Sequence, residues 1–346
     1  MIRVGIVGSN FGRNVLLPAF RADRRCEVVA FAGGDPARTR ERASEAGIAR
    51  AFANWSELVD DKDIDAVAIA TPPQLQPDIA IRALKKGKAV FAEKPLAAHL
   101  EQADELRKQV KKSARPFMVD FEFPELPAWK RAKTLLDAGA IGALRHVFVS
   151  WNVENYATQQ RLKSWKTDSD AGGGALGNLV SHCFYYLENF CGPLENLSAQ
   201  IFGLPGERKA SESSVVLSGS FASGAGLGLT MSQASYLGSG HRIEFYGEDG
   251  TLALINSTGD YMRGFELMHA RRPAKALERI AIADTDDSRY PDGRIMPVAS
   301  LAARFLDAIE QGTPARPGIE EGYRVQQLIE FARLSHDVSE SVMVNE

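Results

Sequence analysis

Several things are scarce in this sequence, and each scarcity removes a class of explanation. Its 346 residues hold three cysteines, Cys26, Cys183 and Cys191. So sparse and odd a set is no disulfide framework; it suits a reducing compartment, and a cytoplasmic location is expected. Six histidines (His99, His146, His182, His241, His269, His336) are scattered without finger-like Cys/His spacing, so no metal site is expected. Lys and Arg total 41 against 44 Asp and Glu, for a net charge of −3. With no basic excess to release counterions from a phosphate backbone, nucleic acid is not an expected partner. No apolar run approaches the ~18 residues of a membrane span, so no membrane contact is expected either. The N-terminus runs straight into a strand pattern and lacks a signal-peptide layout. No G-x-S-x-G elbow is present to support a serine hydrolase.

At roughly 150 residues per domain the chain should hold about two domains. Its first third alternates short apolar runs (Arg3–Val7, Glu27–Phe31, Ala66–Ala70, Lys88–Ala92, Phe117–Phe121) with helical patterns. That alternation predicts βαβ units and a doubly wound parallel sheet over residues 1–122. Residues 123–346 read differently. A helix over Pro127–Ala138 and another over Asn178–Phe190 sit among strand-like runs from Leu144 to Met268, with a hairpin signal at Gly247-Glu248-Asp249-Gly250. Two helices, Ser300–Gln311 and Ile319–Ser335, follow. The fold class is therefore α/β, with an N-terminal doubly wound sheet and a C-terminal α+β domain on a large, mostly antiparallel open sheet. Helices on only one face of that sheet leave the other uncovered. A homo-oligomer, dimer or tetramer, is expected to pack there.

Gly8-Ser9-Asn10-Phe11-Gly12-Arg13-Asn14 lies where the first strand turns into the first helix. In a dinucleotide fold this turn carries G-x-G-x-x-G, and its backbone amides hold the pyrophosphate. Here Asn10 takes the second glycine slot and Arg13 the third. Asn tolerates a left-handed backbone, so the turn can form, and Gly12 could supply the missing room one position along. The alternative is a βα turn with no ligand. After the second strand, Gly33 stands where an acid usually holds a ribose 2′-hydroxyl. Its absence, with Arg38 and Arg40 just downstream, tilts the choice of cofactor from NAD toward NADP; the alternative for the two arginines is a solvated helix face. Asp35 reads as a helix N-cap.

Glu93-Lys94-Pro95-Leu96 follows a buried-looking strand, which aims Lys94 at the crevice beyond the strand ends. Pro95 could adopt a cis bond that holds the lysine. Such a lysine could stabilise a developing alkoxide; it could equally be a surface lysine paired with Glu93.

These segments together resemble the Gfo/Idh/MocA family of sugar and cyclitol oxidoreductases. The resemblance runs through Gly8–Asn14, Leu17-Pro18-Ala19-Phe20, Ala70-Thr71-Pro72-Pro73, Glu93-Lys94-Pro95-Leu96, Gly172-Gly173-Gly174-Ala175-Leu176 leading to His182, and Phe245–Thr251. It implies a Rossmann domain followed by an open-sheet domain. It also implies nicotinamide-dependent hydride transfer at a carbinol carbon of a sugar, polyol or cyclitol. Lys94 inherits contact with nicotinamide and substrate, and Thr71 and Pro72 inherit a place along the cofactor with Glu93. His182 inherits the general acid or base role. Asn178 stands one turn before it, where the family often presents a carboxylate. It can bind a hydroxyl but cannot act as a base. Gln76 replaces a common histidine. Glu122 and Trp165 are further substrate-contact candidates. A relative that keeps the fold but has lost turnover is the rival reading.

Overall fold

Strand β1 (Ile2–Val7) is apolar and buried from Val4 onward. The computed structural model describes residues 1–203, 212–282 and 290–344. After β1 come α1 (Leu17–Arg21), β2 (Cys26–Ala32), α2 (Pro36–Glu45), β3 (Arg50–Phe52), α3 (Trp55–Asp60), β4 (Ala66–Ile69), α4 (Gln76–Lys85), β5 (Ala89–Ala92), α5 (Leu100–Lys112) and β6 (Phe117–Val119). The six strands pair in parallel in the order β3-β2-β1-β4-β5-β6. Strands β4 and β5 are buried at every position, as strands covered on both faces must be. The order reverses between β1 and β4, the switch point at which open sheets bind ligands. The three-residue β3, with no fully buried side chain, was too short to stand out in the sequence.

The second sheet follows α6 (Pro127–Asp137). Its strands are β7 (Leu144–Asn152), β8 (Leu194–Gly203), β9 (Glu212–Phe221), β10 (Gly226–Ser232), β11 (Gly240–Gly247), β12 (Gly250–Asn256), β13 (Glu266–Arg271) and β14 (Glu278–Ile280). The short α7 (Tyr156–Gln159) and the long α8 (Ser181–Cys191) separate β7 from β8. Helices α9 (Ile295–Gln311) and α10 (Ile319–Val338) precede a last strand, β15 (Val342–Met343), on the β8 edge. Among the described residues the order is β14-β13-β12-β11-β7-β10-β9-β8-β15, antiparallel except where β7 runs parallel to β10. The hairpins at residues 247–250 and 222–225 join β11 to β12 and β9 to β10. Along β7, Val147, Val149 and Trp151 are buried while Phe148 points outward, 37% exposed. Val216 of β9 and Tyr246 of β11 are exposed likewise.

The division into compact units corrects one expectation. The first unit is residues 1–122 together with 290–326, so 123–346 is not a single block. Helix α9 explains the correction. Its apolar face, Ile295, Val298, Leu301, Ala302 and Phe305, belongs to the core that also holds Val4, Ile6, Phe20 and Phe91. Phe305 stands edge-on to Phe91 at 5.7 Å and to Phe20 at 6.4 Å. A helix start at Ser300 would leave Ile295 and Val298 outside the helix; it begins five residues earlier, with Pro297 in its first turn.

Candidate active site

At the end of β1 the chain turns through Gly8, whose φ is +110°. A Cβ there would lie 2.2 Å from the backbone oxygen of Ala70. Glycine thus lets the turn after β1 meet the turn after β4. Asn10 does not supply a left-handed residue, contrary to the sequence reading. The backbone of Gly8 already makes the turn, and Asn10 is exposed and opens the first helical turn through its carbonyl to Asn14 N–H at 3.1 Å. Gly12 does not widen the loop either. A Cβ there would sit 2.5 Å from Ile6 Cγ2, so it allows close helix–strand packing, the task of the third glycine in the dinucleotide turn. From Gly12 to Leu16 the helix winds wide, in a π-type turn, before α1.

Asp35 is the N-cap of α2, accepting from the Ala37 and Arg38 amides at 3.0 and 3.1 Å. Arg38 extends into solvent near Asp35. Another arginine, which the sequence reading passed over, reaches the loop: Arg42 Nη1 donates to Ser9 Oγ at 3.3 Å. It lies one turn beyond Arg38 on the same helix, a spacing that could have marked it. A Cβ on Gly33 would lie 2.5 Å from Thr39 Oγ1 and 3.0 Å from Ser9 Oγ, so a side chain there would displace these hydroxyls. Phe11 lies beneath the guanidinium of Arg294, 5.0 Å from its ring centroid, and Arg294 is gripped by both oxygens of Asp292.

The Thr71 hydroxyl, after β4, is buried without a hydrogen-bond partner among the described residues. An unmet polar atom at the switch point fits a polar edge of a bound dinucleotide. Lys94 follows β5, is 9% exposed, and is joined to Pro95 by a cis bond. Gln76, where the family commonly has histidine, is buried and donates its Nε2 to the Pro95 carbonyl at 2.8 Å. It fixes the backbone that carries Lys94. Beside this turn, Asp120 and Glu122 follow β6, and the Asp120 amide donates to the Ala92 carbonyl at 2.8 Å. Burial, then the neighbouring carboxylate of Glu93, pushes Glu122 up to about 7, with Lys94 and Arg294 opposing. Burial drives Asp120 well above the usual carboxylate range, and Glu93 and Glu122 add to it. Asp120 was missed in the sequence, where it read as the end of a strand. Its signal was a second acid two residues before Glu122.

In the second unit, Gly173 admits the Trp165 carbonyl, which a Cβ would approach to 1.7 Å. The short turn Trp165–Thr167 is thereby seated on the glycine run, with Lys166 Nζ 5.9 Å from the Trp165 ring centroid. Leu176–Val180 winds as a second π-type turn into α8. Asn178 and His182 are both buried, on this turn and the helix that continues it. His182 stands edge-on to Phe123, 5.0 Å between centroids, and 6.2 Å from Trp151. The Asn178 amide nitrogen donates to Gln233 Oε1 at 3.2 Å. Tyr186 belongs to the core, where its hydroxyl meets His241 Nε2 at 3.0 Å. Among the described residues no His/Cys/Asp/Glu group is arranged to hold a metal. None of their helices is long and apolar enough to cross a membrane.

Comparison with known proteins agrees with the fold. An uncharacterised oxidoreductase of Synechocystis sp. is 29% identical over 99% of this chain and 96% of its own length. Levoglucosan dehydrogenase of Pseudarthrobacter phenanthrenivorans is 34% identical over 44% of this chain and 39% of its own. A solved levoglucosan dehydrogenase, in complex with NADH and levoglucosan, shares the fold with a TM-score of 0.89 at 22% identity, over the whole of both chains. Residues 2–121 match the family model described as oxidoreductase family, NAD-binding Rossmann fold, and residues 129–253 match the GFO/IDH/MocA C-terminal domain. The chain belongs to the Gfo/Idh/MocA family of oxidoreductases.

Proposed function

We propose that the protein is a nicotinamide-dependent dehydrogenase or reductase that acts on a carbinol carbon of a sugar, polyol or cyclitol. The observation that carries this reading is the buried Lys94, held after β5 by the Gln76 bond to the next carbonyl in the chain. A surface lysine needs no such support. Gly8, Ser9, Asn10, Phe11 and Gly12, with Gly33, Arg38, Thr71, Pro72, Glu93 and Lys94, would hold the dinucleotide. When bound, the nicotinamide supplies the hydride acceptor or donor. The side chains do the rest. Lys94 donates to the substrate oxygen and stabilises negative charge as it develops there. The His182 imidazole takes the hydroxyl proton in oxidation and returns it in reduction. Asn178, Glu122 and Trp165 contact other substrate groups. Levoglucosan, the sugar held by the solved relative, supports the substrate class.

NADP is favoured over NAD because no acid stands at Gly33 and because Arg42 reaches Ser9. The three cysteines are free thiols, which supports a reducing, cytoplasmic setting. Phe148, Val216 and Tyr246 on the outward sheet face support a dimer or tetramer through that face, checked by light scattering.

Fluorescence titration with NADH and NADPH tests the reading. Binding, followed by turnover on a panel of sugars and cyclitols, is the expected result. Failure of both cofactors to bind at millimolar concentration would overturn it. Binding without turnover across the panel would favour the non-catalytic relative. Unchanged turnover in Lys94→Ala or His182→Ala would remove the assigned roles.

A further inference from the structure

Asn178 occupies a position where a carboxylate is the family's frequent choice, and a chain of hydrogen bonds accounts for the amide. Two backbone groups fix its ends. The Thr158 N–H can only donate, and it meets Asn155 Oδ1 at 2.8 Å, so Asn155 presents its Nδ2 elsewhere. The Glu212 carbonyl can only accept, and it receives Gln233 Nε2 at 2.8 Å. Gln233 Oε1 therefore faces the other way, where it accepts from Asn155 Nδ2 at 2.7 Å and from Asn178 Nδ2 at 3.2 Å. Turning Gln233 over would set oxygen against oxygen at the Glu212 carbonyl, and turning Asn155 over would set nitrogen against the Thr158 N–H. The orientations follow from donor and acceptor chemistry and do not rest on telling nitrogen from oxygen.

We infer that Gln233 is a positioning residue. It requires a hydrogen-bond donor at position 178 and so turns the Asn178 oxygen away from itself. This rests on the function proposed above. Gln233 and Asn178 are both buried, so water cannot relieve a mismatch. A carboxylate at 178 would set two acceptor oxygens against each other, and Gln233 cannot turn over without losing Glu212. Position 178, one turn before His182, is thus held by a neutral amide, and on the proposed function that amide is what meets the substrate.

Three variants test this, with Asn178→Ala as the reference. Glu212, held by Arg333 and the Leu176 amide, and His182 are the ionisable groups named in this region. Asn178→Ala keeps them all, so its pH profile carries their contribution. Asn178→Asp should match the parent's melting temperature near pH 5, where the introduced carboxyl is protonated and can donate to Gln233. By pH 8 it should melt several degrees below the parent, whereas the Asn178→Ala deficit should stay constant. Gln233→Glu should behave similarly. When protonated it donates to the Glu212 carbonyl and accepts from both asparagines; when ionised it repels that carbonyl. On any substrate the parent turns over, KM of Asn178→Asp should rise about tenfold between pH 5.5 and 8 relative to Asn178→Ala, with cofactor Kd unchanged. If Asn178→Asp is as stable as the parent at pH 8, or if its deficit tracks Asn178→Ala at every pH, the inference falls. The melting experiment needs no turnover. Absence of cofactor binding would sink the proposed function and leave this test standing.

Discussion

The imidazole of His241 lies parallel to the indole of Trp151, with ring centroids 4.3 Å apart and planes 3° apart. Phe123, Trp129 and Phe265 present edges or faces around it at 5.6 to 5.8 Å. In this aromatic box, which also holds the Tyr186 hydroxyl, burial pushes the imidazole down to about 3 from its ordinary 6.5. The unfolded chain therefore takes the proton first. The stability contributed by neutral His241 is complete above pH 6.5 and is lost as pH falls toward 3, at up to about 1.4 kcal/mol per pH unit. His241→Phe should flatten the acid limb of the stability profile. Urea unfolding of parent and variant at pH 4.5 and 7 measures it. An equal loss in both proteins would show that His241 does not control the acid limb.

Glu122 titrates the other way. Its folded pKa is raised to about 7 by burial and by Glu93, so the folded protein holds the proton longer than the unfolded chain. Its neutral form favours folding fully below about pH 4.5, and the advantage disappears as pH climbs through 7. Glu122→Gln keeps the neutral form at every pH. It should be more stable than the parent at pH 8 by an amount of order 3 kcal/mol at most, with little difference at pH 4.5. If Glu122 contacts substrate, the same variant should lose the parent's pH dependence of KM near neutrality. A stability gap that is constant with pH would mean that Glu122 is ionised throughout.

The sequence disclosed most of the architecture because period and punctuation agreed along it. Buried β4 and β5, the Asp35 cap and the Gly247–Gly250 hairpin are local events, decided by neighbouring residues. What stayed hidden was decided at long range. The place of α9 depends on Phe305 meeting Phe20 and Phe91, more than two hundred residues back in sequence. The same holds for the site. Motifs singled out Lys94, Asn178 and His182 as candidates, but the hydrogen bonds beside Lys94 and at Asn178 were not legible. Gln76 reaches Pro95 and Gln233 reaches Asn178 only once the chain has folded, and a lone glutamine carries no pattern.

Gln76 offers a direct test of how Lys94 is held. Gln76→Leu keeps the volume roughly but leaves the Pro95 carbonyl buried without its donor, at a cost of about 1 to 3 kcal/mol. The backbone beside Lys94 is then free to shift. We expect kcat/KM to fall about tenfold or more while the fold is retained, because small misplacements at a reacting group are costly. Steady-state kinetics with thermal unfolding separate the two effects. Full activity in a destabilised variant would show that the turn holds Lys94 without Gln76.

The contact of Arg42 with Ser9 offers a test between the two cofactors. A 2′-phosphate adds charge that an arginine near this loop would meet, whereas a 2′-hydroxyl would gain little from it. Arg42→Ala should raise the Kd for NADPH five- to tenfold and leave the Kd for NADH within about twofold. Arg38→Ala, at a solvent-extended position, should raise the Kd for NADPH less than Arg42→Ala does. Equal weakening of both cofactors by Arg42→Ala would assign the arginine to loop geometry and withdraw the preference for NADP.

The placement of α9 with the parallel sheet can be tested through Phe305, which is fully buried and meets two phenyl rings edge-on. Phe305→Ala removes that ring and leaves a cavity, at a cost of about 3 to 5 kcal/mol. Because Phe20 and Phe91 lie on α1 and β5, the loosened packing sits beneath the elements that carry the Gly8 loop and Lys94. Cofactor affinity should therefore drop along with stability. Guanidinium unfolding and NADPH titration read the two effects. A loss below 1 kcal/mol, or a full loss of stability with cofactor affinity untouched at a temperature where the variant is folded, would detach α9 from the nucleotide-binding unit.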